Sequence, residues 1–208
     1  MVRLLGRFLA WAALSLAVTL LGLGVVAGDF AVLILSAPRT GAGAGSALVF
    51  LCGFCLGLLA TLVLAVAAHE AGHLLGGRWV GLATRFAHVG PITITRERGG
   101  WRPGWDPRRP WIGRAVCEPW PASRWRAALF VAAGPLANFA AAPVAALLAL
   151  AWSPSLPGCW AGLFAVHSAF FGAVNLLPLK ERSFPSDGLA LWRLLTRPPG
   201  RGSGAAGR

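Results

Sequence analysis

The chain has 208 residues, of which 56% are hydrophobic and only 12% are charged, and its formal net charge is +12. A mean hydropathy of +0.65 is too apolar for an ordinary soluble domain and is typical of a protein with several membrane helices. The excess of Arg also suits nucleic acid, but Arg beside membrane helices is expected from topology and from attraction to anionic lipids. We therefore expect a lipid bilayer, and not nucleic acid, as the partner of these charges.

Four apolar stretches reach or exceed the roughly 20 residues that a membrane-spanning helix needs. They lie at about 8–27, 47–77, 127–151 and 159–178. The first stretch follows Arg3 and Arg7 like a signal peptide, but it is longer than the roughly 7–15 apolar residues of a signal core. We predict an all-α polytopic protein with about four transmembrane helices in a single integral-membrane domain, residues 1–195. The composition of residues 196–208 predicts a disordered cytoplasmic tail.

The positive charges predict the orientation of these helices. Of the 19 Lys and Arg residues, two precede the first stretch, ten lie in the loop 78–126 and six follow Leu179, which leaves only Arg39 for the other side. Both termini and the long loop are therefore expected to be cytoplasmic. The excess of Arg over Lys, with abundant Ala and Gly, suggests a bacterial genome, so the predicted location is the cytoplasmic membrane.

An H-E-x-x-H sequence, His69 to His73, lies near the end of the second predicted span. On a helix, histidines at i and i+4 can reach one zinc ion while Glu70 addresses a water bound to it. His69 and His73 lie about 12 and 6 Å inside the predicted cytoplasmic end of the helix, at 1.5 Å per residue. Ionisable residues inside a membrane span usually mark function. The sequence therefore predicts a zinc site in the cytoplasmic half of the bilayer.

The third predicted span carries Gly134-Pro135-Leu136-Ala137-Asn138 at a similar depth. Gly and Pro loosen the backbone hydrogen bonding of a membrane helix, and Asn138 places an amide among apolar side chains. A simpler interpretation is a notch of small residues in which Asn138 forms an interhelical hydrogen bond.

The fourth span ends at Asn175-Leu176-Leu177-Pro178, and Ser186-Asp187-Gly188 follows on the predicted cytoplasmic side. Two histidines and one carboxylate with an open fourth position are typical of a catalytic zinc site. Alternatively, Asp187 is the N-cap of a short helix over Leu189 to Leu195. His167, inside the fourth span, is interpreted as a further polar contact or as an interhelical partner.

These three ordered motifs, from His69 to Gly188, resemble those of the site-2 proteases, which are intramembrane zinc metalloproteases. The resemblance implies a three-helix catalytic core with one Zn²⁺ per chain, in which His69, His73 and Asp187 are the ligands and Glu70 is the catalytic acid and base. Asn138 would hold the substrate backbone or the developing oxyanion. The implied activity is hydrolysis of peptide bonds in transmembrane or membrane-tethered proteins.

The chain departs from the family pattern in two places. Eight residues separate Pro178 from Asp187, where the commonest family spacing has four, and Gly188 is followed by Leu189 and not by a second Gly. The loop 78–126 has no room for a PDZ domain, so we expect a minimal member whose substrate and gating partner are unknown.

Two other functions compete with proteolysis. The first is an inactive homologue that binds transmembrane helices, which the longer spacing before Asp187 favours and the intact Glu70 disfavours. The second is a metal-binding or metal-transport protein, since intramembrane His and Asp also build ion pathways. A transporter would need further ionisable residues across the outer half of the membrane, where His167 is isolated.

The segment from Val89 to Thr95 in the long loop alternates apolar and polar residues like a strand. We predict a small β-hairpin there, with an exposed edge that pairs with an extended substrate by β-augmentation. The alternative is an ordinary hairpin that packs on the membrane face.

Overall fold

The computed structural model describes residues 17, 20, 22–32, 35, 44–108, 113–121, 123–180 and 185–196. Its helices are named here in chain order. They are α1 (Gly22–Val32), α2 (Ala44–Trp79), α3 (Arg124–Ala151), α4 (Leu156–Leu176) and α5 (Asp187–Thr196). Four strands, β1 to β4, lie between α2 and α3.

Three helices are long and apolar enough to cross a membrane, namely Leu48–Trp79 within α2, α3 and α4. They confirm the predicted spans 47–77, 127–151 and 159–178 to within three residues. The described residues contain three such helices and not the predicted four. Most of the predicted span 8–27 lies outside the described residues, and its last residues belong to α1, which is a shorter apolar helix. The predicted tail also lies outside them, beyond Thr196.

Helices α2 and α3 pack antiparallel with glycine at their closest approach. A Cβ added to Gly72 would lie 2.6 Å from the Cβ of Ala137 and would overlap the carbonyl of Ala133. One turn further along α2, a Cβ added to Gly76 would overlap the Cβ of Ala133. Small residues at such contacts let the backbones of membrane helices approach closely. This approach brings the end of α2 that carries H-E-x-x-H against the start of α3.

Helices α2 and α4 run parallel and meet through a tryptophan that lies on glycine. Gly53 lies next to Leu156, and Gly57 lies next to Trp160. Residue numbers therefore increase in the same direction along both helices. The Trp160 indole N–H donates to the carbonyl of Gly53 at 3.1 Å. Its ring leaves no room for a side chain on Gly57.

The loop between α2 and α3 forms an antiparallel sheet with the strand order β3-β2-β1-β4. The strands are β1 (Ala83–Val89), β2 (Ile92–Glu97), β3 (Gly100–Trp105) and β4 (Gly113–Glu118). The predicted hairpin is present as β1 and β2, but it is half of a larger sheet. The segment from Val89 to Thr95 is not one strand, because Gly90, at φ +54°, and Pro91 form the turn. A positive φ favours glycine in such a turn.

The predicted exposed edge is wrong, since β1 and β2 are the two central strands. Thr93 pairs with His88 of β1 on one side and with Gly104 of β3 on the other. Among the described strands, the outer ones are β3 and β4. Alternation of apolar and polar residues shows that a segment is a strand, but it does not show how many neighbours the strand has.

A small apolar core joins the sheet to the helices. Leu82 and Cys117 from the sheet region pack with Phe130 and Val131 of α3. Partly buried residues of α2 and α5 pack against this cluster, including Leu74, Ala190, Leu191 and Leu194. The core therefore holds the sheet and α5 against the same end of the bundle.

We predict that Gly57→Leu destabilises the bundle because the new side chain would displace the Trp160 indole. Overpacking of this kind costs about 1–3 kcal/mol, which is measurable as a lower midpoint of unfolding in detergent. Gly28→Leu is the matched control, because no described atom lies within 4 Å of a Cβ at Gly28. Equal shifts in the two variants would contradict the assigned contact between α2 and α4.

Candidate metal centre

Two histidines of α2 face one another inside the bundle. His69 and His73 lie one turn apart and are 6% and 7% exposed. Their Nε2 atoms are 3.2 Å apart. The spacing of the two positions thus produces the convergence expected of them on a helix.

The third predicted ligand, Asp187, is the first residue of α5. Its Oδ2 lies 2.9 Å from Nε2 of His69 and 3.3 Å from Nε2 of His73. The candidate ligand atoms of the three residues all lie within 4.8 Å of one another. The structure therefore brings together all three residues predicted as ligands, although 118 positions separate His69 from Asp187.

Ser186 determines where Asp187 lies. Its hydroxyl accepts from the backbone N–H of Leu189 at 3.2 Å and of Leu179 at 3.0 Å, and it donates to the carbonyl of Leu177 at 2.6 Å. Ser186 is thus the residue that caps α5, and it ties the start of α5 to the end of α4. The Asp187 side chain is free of the capping role and turns toward the histidines.

The described ends of the connection between α4 and α5 lie next to each other, despite the longer spacing before Asp187. Lys180 pairs with Pro185 in an isolated antiparallel bridge, and the N–H of Ser186 donates to the carbonyl of Leu179 at 3.1 Å. The backbone at Pro185 and Ser186 therefore lies beside the backbone at Leu179 and Lys180. Asp187 therefore reaches His69 although eight residues separate it from Pro178.

Two glycines of the predicted motifs leave space for neighbouring groups of the site. A Cβ on Gly134 would overlap the ring of His73, and a Cβ on Gly188 would overlap the carbonyl of Leu176. Without these glycines, the His73 ring or the start of α5 would have to move.

The hydrogen bonds of His73 determine which of its nitrogens carries the proton. Nδ1 lies 3.0 Å from the carbonyl oxygen of Phe130, which can only accept, so Nδ1 is protonated. In the neutral ring, Nε2 then presents a lone pair toward Oδ2 of Asp187, which also presents lone pairs. At 3.3 Å these atoms repel unless a positive charge lies between them. A proton or a metal ion between the two atoms would remove this repulsion.

The three candidate ligand atoms are close enough together to share one metal ion. Zn²⁺ binds His nitrogen and carboxylate oxygen at about 2.0–2.2 Å, so ligand atoms around a tetrahedral ion are about 3.3–3.6 Å apart. The separations here are 2.9, 3.2 and 3.3 Å, so these groups would spread by a few tenths of an ångström to hold the ion. Three protein ligands leave a fourth position for water or substrate.

The Asp187 carboxyl is held in the charged form. Burial alone raises its pKa, but the contacts with His69 and His73 outweigh burial and keep the pKa below its usual value. The deprotonated carboxylate is the form that binds a metal.

Glu70, next to His69 on α2, lies against strand β4 and is 7% exposed. Its carboxyl is so close to Gly113 that a Cβ at this position would overlap it. It also accepts a hydrogen bond from the backbone N–H of Ala115. The strand therefore positions the predicted acid and base beside the ligands.

Asn138 is fully buried and lies against His69. Its Nδ2 is 3.3 Å from Nδ1 of His69, which is the ring nitrogen that does not face Asp187. The structure therefore places this predicted residue behind a ligand.

Two other polar residues of the predicted motifs and spans have partners elsewhere. The Asn175 amide donates to the carbonyl of Phe171 in its own helix. Nδ1 of His167 lies 3.1 Å from the hydroxyl of Thr61, two turns before His69 on α2. His167 is thus an interhelical partner, one of the two interpretations given to it above.

Sequence reasoning missed three supports of the site: the carbonyl of Phe130, the hydroxyl of Ser186 and the backbone of β4. Two of these are backbone groups, which every residue possesses, so the residue type cannot predict them. The sequence singles out Ser186 only as the neighbour of Asp187.

Comparison with family models, curated proteins and solved structures yields no match for this chain. The resemblance to site-2 proteases therefore depends on the motifs alone.

We predict that the detergent-purified protein binds one zinc ion, and that His73→Ala and Asp187→Ala each abolish binding, because either change leaves only two ligands. Metal content by mass spectrometry checks this. Asn175→Ala is the control, since its amide is bonded within its own helix. Zinc retained by Asp187→Ala would contradict the assignment of the third ligand.

Proposed function

We propose that this protein is an intramembrane zinc endopeptidase that cleaves transmembrane or membrane-tethered proteins. The observation that carries the proposal is the convergence of His69, His73 and Asp187 beside Glu70 at one end of the bundle. Helix α2 supplies three of these groups from within a stretch apolar enough to cross a membrane. A carboxylate next to a three-ligand site with an open position is the arrangement that metal-assisted hydrolysis requires.

The three candidate ligands and Glu70 have separate roles in the proposed reaction. His69, His73 and Asp187 would hold the ion, which when bound activates a water molecule and polarises a peptide carbonyl. Glu70 takes a proton from the attacking water and returns it to the leaving amine, so it finishes the cycle in its starting state.

We further propose a location in the cytoplasmic membrane of a bacterium, with both termini inside. The proposal is supported by the distribution of Arg and Lys, since the segments that carry the sheet and α5 hold most of these residues and positive loops are typically cytoplasmic. The catalytic groups lie at that end of α2, so the site would be reached from the cytoplasm. The described spans, with α1, would form the three-helix catalytic core and its covering helix.

A substrate must present an extended backbone, because the amides of a helix are already hydrogen-bonded. The outer edge of β4 is the proposed binding surface, since β4 pairs only with β1 among the described strands. The N–H of Ala115 is hydrogen-bonded to Glu70, and an added strand would displace this bond. A substrate strand that adds to this edge would place its peptide groups beside Glu70. This edge replaces the one near Thr93 that the sequence suggested.

We predict that Glu70→Gln lowers cleavage about 10²–10⁴-fold, the range for loss of a general acid and base, and leaves zinc content unchanged. The assay incubates the purified protein with a model substrate whose single transmembrane helix contains a central Gly-Pro pair, and fragments are identified by mass spectrometry. Cleavage that persists in the variant would contradict the mechanism. A wild type that binds zinc but cleaves nothing would favour a metal-binding function.

We predict that a photoreactive residue at position 114, in β4, crosslinks to the same model substrate when Glu70→Gln is used as a trap. The side chain of Arg114 is exposed and lies next to Ala115, so its replacement reports on the β4 edge. Thr93 is the matched control, because it lies in a central strand. Crosslinks from position 93 and none from position 114 would refute binding at β4.

A further inference from the structure

Asn138 is a polar side chain buried inside the bundle, next to one of the candidate ligands. It is 0% exposed, and its amide nitrogen lies 3.3 Å from Nδ1 of His69. Its Oδ1 is buried and has no hydrogen-bond partner among the described residues. A buried acceptor without a donor is destabilising, so the acceptor of this amide is available for a donor that the ring of His69 could supply.

The contact determines the proton position on His69. An amide nitrogen can only donate, so Nδ1 of His69 accepts and the ring proton lies on Nε2. That proton points at Oδ2 of Asp187, 2.9 Å away. A protonated Nε2 cannot bind a metal, because its lone pair is used. His73 is in the opposite tautomer and already presents its Nε2 lone pair, since its Nδ1 donates to Phe130.

Metal binding at Nε2 of His69 therefore requires the other tautomer. One proton leaves Nε2 and one is taken up at Nδ1, so the charge of the ring does not change. The new Nδ1–H needs an acceptor, and the amide of Asn138 provides one if it rotates by 180°, which exchanges Oδ1 and Nδ2. The two atoms are almost the same size, so the rotation needs no extra space.

We infer that Asn138 is a positioning residue that stabilises the metal-binding tautomer of His69 by accepting its Nδ1–H through Oδ1. The inference rests on the proposed zinc site. Metal-bound histidines generally donate their second N–H to such an acceptor, and loss of the acceptor weakens metal binding about 10–100-fold. Asn138 lies behind the ring and away from the face that Asp187 occupies, so it acts through His69 and not on the substrate oxyanion.

The test compares zinc affinity, by chelator competition, in the full-length protein purified in detergent. Asn138→Leu keeps the size of the side chain but removes the acceptor, and we expect binding 10–100-fold weaker. Asn138→Asp keeps the acceptor and removes the donor, and we expect an affinity close to that of the wild type. Ser168→Ala is the control, because it removes another fully buried polar group that has no partner among the described residues, and it should not change the affinity.

The absorption spectrum of bound Co²⁺ provides a second readout that does not depend on proteolysis. We expect an intense tetrahedral spectrum for the wild type and Asn138→Asp, and a weaker or shifted spectrum for Asn138→Leu. If Asn138→Leu does not fold, Asn138→Asp alone decides, since retained affinity supports an acceptor role and lost affinity overturns it.

Two outcomes overturn the inference while the proposed function stands: the Leu variant binds zinc as tightly as the wild type, or both variants lose affinity equally. The second outcome would mean that the amide nitrogen or simple packing is what matters. A wild type that binds neither Zn²⁺ nor Co²⁺ overturns the proposed function, and this inference with it.

Discussion

The contact between the Asp187 carboxylate and the two imidazoles of α2 is the interaction on which the rest of the structure depends. Two buried imidazoles and a half-buried carboxylate in an apolar bundle are costly unless they satisfy one another or a shared cation. Here the carboxylate oxygen lies within 3.3 Å of both Nε2 atoms, which links α5 to α2 across the end of the bundle. The apolar core around Phe130 packs α5, the sheet and α3 against this end, so packing and polar contacts act in the same direction.

Close backbone approach makes this contact possible. Gly72 lets α3 lie directly against α2, and Gly134 leaves room for the ring of His73. Gly188 does the same for α5 against the end of α4. The glycines in the three motifs therefore permit the candidate ligands to converge, because a methyl group at any of them would push apart the elements that carry these residues.

The sheet illustrates where sequence patterns stop being informative. Alternation correctly indicated β structure in the long loop, and the hairpin it predicted exists. Its assignment of an open edge near Thr93 was wrong, because that residue has a strand on each side. Strand pairing joins residues that are distant in sequence, so a local pattern cannot distinguish a central strand from an outer one. The partner of Glu70 is accordingly the backbone of β4, a segment that the sequence did not single out.

The sequence by itself determined the three described spans and the convergence of His69 and His73 on α2, because both follow from local rules: the length of an apolar stretch, and the 3.6-residue turn that aligns positions i and i+4. It also indicated Asp187 by residue type and order. Only the tertiary structure decided that Asp187 reaches the histidines despite the longer connection, that Ser186 supplies the helix cap, and that Asn138 lies behind His69. These contacts join residues far apart in the chain, and they depend on how whole helices pack, which no local pattern encodes.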